Sequence, residues 1–199
     1  LSLTGTDAGN YTLVVPAGLT ADITPLALAL TGLAPADKVY DATTVAPLAG
    51  TAGITPLAGD TVTLAGTAVA SFADKNVGTN KPVSIGGLTL AGADAGNYLL
   101  TLPVGGSASI TPAPLTLTGV TAANKVYDTS TAASASAGLG GVMAGDAVTV
   151  SLAASFADAN VGAAKVVNYS ATMAGADAAN YTLAAAGSTV ASITPATLV

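Results

Sequence analysis

Short runs in which apolar and polar residues alternate recur along the chain. "PLTLTG" (114–119) alternates strictly and predicts a strand, because successive side chains of a strand face opposite sides. "KVYDTST" (125–131), "AVTVSLAASF" (147–156), "AKVVNYSATM" (164–173), "NYTLAAA" (180–186) and "STVASITP" (188–195) predict further strands, separated by turn formers such as "AGD" and "ADANVG". Helical periodicity is nearly absent. Only the stretch "GADAGNY" (92–98), with its closely spaced Gly, Asp and Asn, predicts one tight helical turn. The pattern gives an all-β fold built from small immunoglobulin-like β-sandwich units, with a β-grasp-like unit carrying one short helix as the alternative.

The strands belong to repeats. "KVYD" occurs at 38–41 and 125–128, "AGD" at 58–60 and 144–146, "SFAD" at 71–74 and 155–158, and "NVG" at 76–78 and 160–162. "GADAGNY" returns as "GADAANY" (175–181) and as "GTDAGNY" (5–11), followed each time by "ITP" at 23–25, 110–112 and 193–195. The order never changes. Residues 1–25 therefore read as the closing part of one repeat, 26–112 as a full repeat and 113–199 as a second, which predicts a piece of a longer elongated array. A period of 83 to 87 residues exceeds the roughly 20 to 50 of solenoid repeats and suits a small self-contained domain.

Composition sharpens this picture. Charged residues are 8% of the chain, against about 25% in an ordinary soluble domain. All 11 acids are Asp, all 5 basic residues are Lys, and His, Cys and Trp are absent. Thr and Val favour strands, whereas the scarce unbranched residues are helix formers. A net charge of −6 excludes the basic surface that nucleic acid requires and a polybasic membrane patch. No apolar run reaches the roughly 18 residues of a spanning helix, so no membrane insertion is expected. The opening residues show no signal-peptide pattern.

In "GADAGNY", Asp94 and Asn97 read as turn formers, and Tyr98 as the residue that enters the next strand with its ring buried and its hydroxyl on a backbone partner. Such an arrangement resembles the tyrosine corner of immunoglobulin-like sandwiches. Asp177, Asn180 and Tyr181 repeat it, and Tyr11 marks the first copy. Tyr11, Tyr98 and Tyr181 are scarce core anchors, and Tyr40 and Tyr127 of "KVYD" are further residues of the structural motif. Phe72 and Phe156 supply one core aromatic per full repeat. Pro112 and Pro114 in "ITPAPL" fix φ and hold the passage between repeats extended.

"KVYD" with a following Thr, "AGD", "SFADKNVG", "AGADAGNY" and "ITPAPL" together resemble the YDG-type and related MBG-type repeats of large bacterial exoproteins of the filamentous-haemagglutinin-like kind. The resemblance covers the whole chain. Two positions depart from it: Asp41 is followed by Ala42 and Asp128 by Thr129, where "YDG" has Gly. The family implies a secreted or cell-surface bacterial adhesin whose repeats form a stalk and meet neighbouring repeats of the same chain. It names no catalytic residue. Its members cross the outer membrane unfolded, which suits a cysteine-free chain of low charge.

Other chemistry is weaker. Without His, Cys or Glu most acid–base and nucleophilic arrangements are missing, so no enzyme activity is expected. No D-x-D-x-D-G loop occurs; Asp37, Asp41, Asp60, Asp74 and Asp94 read as turn residues rather than Ca²⁺ ligands, and neither metal nor cofactor is expected. Lys38 with Asn97, and Lys125 with Asn180, raise the alternative of an isopeptide cross-link. Asn10, Asn168 and Asn180 lie in N-x-S/T acceptors. The competing functional reading is a module that binds a host glycan or matrix protein, for which Tyr169 offers an aromatic with no counterpart in the other full repeat.

Overall fold

The computed structural model describes residues 1–103 and 106–198. Two copies of one strand pattern follow each other. The first repeat has β1 (Leu26–Ala29), β2 (Thr31–Pro35), β3 (Lys38–Val39), β4 (Leu48–Gly53), β5 (Thr63–Phe72), β6 (Gly78–Ala91), β7 (Tyr98–Thr101) and β8 (Ser107–Thr111). The second has β9 (Ala113–Ala122), β10 (Lys125–Val126), β11 (Ala132–Ala133), β12 (Ala135–Gly140), β13 (Thr149–Phe156), β14 (Gly162–Ala174), β15 (Tyr181–Leu183) and β16 (Ala186–Thr194). Among the described residues, helical structure is confined to 3-10 turns at Ala8–Asn10, Ala95–Asn97 and Ala178–Asn180, one in each copy of the Asp–Asn–Tyr motif.

In the second repeat one sheet has the order β10-β16-β14-β13-β11 and the other the order β12-β9-β15. The first repeat has β3-β8-β6-β5, with a Val45–Ser71 bridge where β11 stands in its twin, and the pairs β1-β7 and β2-β4. The sheets are mixed. The long hairpins β5–β6 and β13–β14 are antiparallel, while β1 runs parallel to β7 and β3 parallel to β8. Alternation sets the buried face, as in β9, where Ala113 and Leu115 point inward and Pro114 outward.

The core does not stop at the repeat boundary. Leu30, Tyr40, Phe72, Val83 and Ile110 of the first repeat share one cluster with Ala113, Leu115 and Tyr181 of the second. Separate clusters close the two outer ends: Leu28, Val62 and Tyr98 at one, Phe156, Val167, Ala191 and Ile193 at the other. Only Pro112 separates β8 from β9, so the chain enters the second repeat extended.

Two expectations need correction. "KVYDTST" is not one strand: β10 ends at Val126, because the Asp128 carboxylate accepts the Ser130 amide at 2.9 Å and Thr129 turns to φ +66°. Tyr11 is no core anchor. It is 72% exposed, and no strand forms within 1–25. Tyr98, by contrast, is held by the Leu57 amide and the Asp60 carboxylate, 41 and 38 residues before it. Tyr127 is 39% exposed although its twin Tyr40 is 1% exposed, a difference that arises at the repeat boundary.

Candidate functional site

Each repeat gathers its motifs at two ends. At the leading end, the Asp–Asn–Tyr motif clasps the "AGD" loop. The Gly92 backbone, at φ +113°, passes so close to Thr61 that a Cβ there would lie 2.3 Å from the Thr61 carbonyl oxygen; at Gly175 the corresponding distance, to the Ala147 oxygen, is 2.2 Å. Only glycine fits this approach. The following Asp does not cap its own 3-10 turn. Asp94 Oδ2 accepts the Thr61 amide at 2.8 Å, and Asp177 Oδ2 accepts the Ala147 amide at 2.9 Å. The tyrosine completes the clasp. Tyr98 Oη accepts the Leu57 amide at 3.1 Å and donates to Asp60 Oδ2 at 2.5 Å. Tyr181 Oη accepts the Met143 amide at 3.0 Å and donates to Asp146 Oδ2 at 2.6 Å.

At the trailing end, "KVYD" lies beside "SFADKNVG". The Lys38 ammonium donates to Asp41 Oδ1 at 2.7 Å and to the Thr43 carbonyl at 2.8 Å, and sits 5.7 Å from the centroid of the Phe72 ring. Lys125 repeats this with Asp128, Ser130 and Phe156. That lysine, with Ser130 adding its own donors, holds the Asp128 carboxyl down at about 2. Lys81 pairs with Asp74, and Lys165 with Asp158, across the next turn. These pairs fix loops within each repeat. Lys38 and Lys125 are therefore occupied by acids and loop oxygens, and neither bonds the asparagine of the isopeptide alternative.

The trailing end of the first repeat meets the leading end of the second. Tyr40 Oη donates to Asp146 Oδ2 at 2.7 Å, the same oxygen that accepts from Tyr181. Lys75 Nζ binds the other oxygen, Oδ1, at 2.5 Å, lies 3.4 Å from Asp177 Oδ1, and stands 5.8 Å from the Tyr40 ring centroid. The Asp146 side chain is 1% exposed. Asn180, a buried polar residue, accepts the Val77 amide at 2.9 Å and donates to Asn76 Oδ1 at 3.3 Å. Among the described residues, no buried side-chain polar atom lacks a partner. Burying a carboxylate is costly unless its charge and its lone pairs are met, and here one ammonium and two hydroxyls meet them.

The electrostatics follow. Lys75 first, and then the Tyr181 hydroxyl, hold the Asp146 carboxyl down at about 2. Asp146, then Tyr40, raise Lys75 well above the ordinary lysine range. Burial, then the Asp146 hydrogen bond, raises both Tyr40 and Tyr181. This network binds and orients; it presents no nucleophile or proton carrier poised near neutral pH.

The structure thus brings together Tyr40, Asp177, Asn180 and Tyr181, with Pro114 on β9 opposite Thr182 and Pro112 in the one-residue passage before it. Asp94, Asn97 and Tyr98 form the same leading end in the first repeat, Tyr127 lies at the trailing end of the second, and Tyr11 stands apart. Asn180 closes its own turn with its amide on the Asp177 carbonyl at 3.0 Å while its side chain serves the neighbouring repeat, and its burial closes that acceptor to a glycan. Sequence reasoning missed Lys75, Asn76, Val77 and Asp146 as partners. One signal was present: "SFADKNVG" and "SFADANVG" differ only at Lys75 and Ala159, the position that ion-pairs across the boundary. Among the described residues, no three metal-ligating side chains come together.

The sequence pattern of the YDG domain matches residues 24–105 and again residues 111–190, and so covers most of the chain. No curated protein and no solved structure matches it.

Proposed function

Because the chain belongs to the YDG domain family, we propose that its repeats are structural spacers, the stalk of a large secreted or cell-surface bacterial adhesin of the filamentous-haemagglutinin-like kind. On this reading the chain is not an enzyme, and its partners are neighbouring repeats. The observation that carries the proposal is the Tyr40–Asp146–Tyr181 junction with its Lys75 clamp. A boundary with a shared core and a satisfied buried carboxylate resists bending, unlike a Gly/Ser linker. The single-residue passage at Pro112 adds to this, since proline fixes φ and leaves little slack. The two sheets of the second repeat favour the immunoglobulin-like sandwich within this reading, with the parallel pairs as a departure from a purely antiparallel form.

Small-angle scattering on residues 26–199 tests the stalk. The expected maximum dimension is close to twice that of one repeat, with a broader distance distribution when Tyr40 and Asp146 are both replaced by alanine. A particle no longer than one repeat overturns it.

One feature favours a second reading, a module for a host glycan or protein. An apolar groove of about 550 Å³ lies on the first repeat between Val45, Leu48, Val69 and Ile85. In the second repeat Tyr169 occupies the place of Ile85, opposite Ala154 on β13, and borders a smaller groove. Binding to a glycan array that is abolished by Val69→Lys, at an exposed lining residue, would move the function to this groove.

A further inference from the structure

Twin residues of the two repeats differ in exposure in a consistent way. At the trailing end, Tyr40 is 1% exposed and Tyr127 39%. The Val77 amide is bonded across the boundary, while Val161 is 49% exposed. At the leading end, Asn180 and Ala113 are buried, while Asn97 and Leu26 are exposed. Residue type cannot account for Tyr against Tyr or Val against Val. The local frame is also the same. The Tyr40 amide donates to the Thr111 carbonyl at 2.8 Å and the Tyr127 amide to the Thr194 carbonyl at 2.8 Å, and Lys38 pairs with Ile110 as Lys125 pairs with Ile193. What differs is the neighbour that covers them.

We propose that Tyr127, Asn160 and Val161 form a preformed docking surface for a further YDG repeat, received by the end that carries its Asp–Asn–Tyr motif. The inference rests on the reading of these repeats as docked spacers and names the contact that continues the row. The Tyr127 hydroxyl donates to the carboxylate that corresponds to Asp146, its ring meets the tyrosine that corresponds to Tyr181, and the Val161 amide donates to the asparagine that corresponds to Asn180. "ITPATL" (193–198) repeats "ITPAPL" (110–115) and supplies the same extended passage into the incoming repeat. One group is missing: Ala159 replaces Lys75. A carboxylate buried here gains two hydroxyls but no ammonium, so this contact is weaker than the internal junction, and a lysine at 159 strengthens it.

The test uses the full chain, extended after Pro195 by a second copy of residues 113–199 in which the copied Tyr127 is phenylalanine. Nitration of the remaining Tyr127 is followed by mass spectrometry in the original and extended chains. Docking slows it at least about tenfold, which corresponds to roughly 1.4 kcal/mol. The protection falls when the copied Asp146 is changed to alanine and grows with Ala159→Lys. Unchanged nitration overturns the proposal. So does a second copy whose Tyr181 reacts as an unfolded residue, since the surface then fails to receive the sequence that fits its counterpart. Scattering on the same chains separates the two readings: an elongated particle with unprotected Tyr127 removes the docking surface and leaves the stalk, and a compact particle with protected Tyr127 does the reverse.

Discussion

Tyr40 and Tyr181 meet edge to face across the repeat boundary, with ring centroids 5.3 Å apart and planes at 75°, and both hydroxyls end on the same oxygen of Asp146. The pair ties two repeats through one carboxylate. Because each hydroxyl is buried with that carboxylate, the two contributions are not independent. Tyr40→Phe keeps the ring contact and loses one hydrogen bond to a charged carboxylate, for an expected cost of about 1.5–3 kcal/mol. Tyr181→Ala loses the ring, the bond and the Met143 clasp, for about 3 kcal/mol or more. Denaturant titration of the two variants and of their combination measures both costs and the coupling. Wild-type stability in Tyr181→Ala would show that the ring is not an anchor.

The same carboxylate gives the junction an acid limit. Asp146 titrates at about 2 rather than at its ordinary 3.8, because Lys75 and then Tyr181 favour the charged form. A depressed folded-state value means that the unfolded chain takes up the proton first, so this stabilisation is complete above 3.8 and is lost as pH falls through about 2. Asp128 is held equally low by Lys125, so the whole chain weakens in the same window. The diagnostic is therefore a difference. Between pH 5 and pH 2, Asp146→Asn should lose less stability than the native chain in matched denaturant titrations. Parallel pH profiles would mean that Asp146 is not held charged by the junction.

The motif that recurs three times contains two glycines with opposite requirements in its second copy. Gly92 has φ +113° and no room for a Cβ, whereas Gly96 has open space around its Cβ position and is already Ala179 in the other repeat. Gly92→Ala should therefore destabilise by roughly 2 kcal/mol through strain and overpacking. Gly96→Ala should be neutral, or stabilising by about 0.5 kcal/mol through the unfolded chain. Thermal melts of the two variants decide. Equal melting temperatures would show that the clasp on Thr61 tolerates a side chain.

Local features of this fold were legible, and contacts between repeats were not. Alternation placed β13, β14 and β16 within a few residues, because a strand face is written in neighbouring positions. The tight turn before Tyr98 was legible from Asp, Gly and Asn. The target of the Asp94 carboxylate was not, since Thr61 lies 33 residues away and an Asx turn predicts a partner next door. Tyr40 and Tyr127 stand in the same four letters, yet one is buried and the other is not. Their difference resides in the neighbouring repeat, to which no local pattern refers. "KVYDTST" misled for another reason. Its Val and Thr content favours a strand, but the Asp128 side chain competes for the backbone and turns the chain at Thr129.

Ala42 has φ +62° and Thr129 φ +66°, both in the left-handed region, and these are the two positions where the "YDG" pattern carries glycine. A residue with a Cβ pays about 1–2 kcal/mol there, and the branched Thr129 stands at the unfavourable extreme. Glycine removes that strain but adds freedom to the unfolded chain, worth roughly 0.5–1 kcal/mol in the other direction. The Thr129 hydroxyl contributes only a bond to the adjacent Asp128 carbonyl, at 2.5 Å, so little else is lost. Thr129→Gly should therefore stabilise the second repeat by about 1 kcal/mol, and Ala42→Gly should stabilise the first by less. The Asp128 contacts with Lys125 and Ser130 stay intact in both, because they use the carboxylate and not residue 129. Denaturation midpoints of the two variants against the native chain check this; a lower midpoint in Thr129→Gly would mean that the turn is held by its side chain and not strained by it.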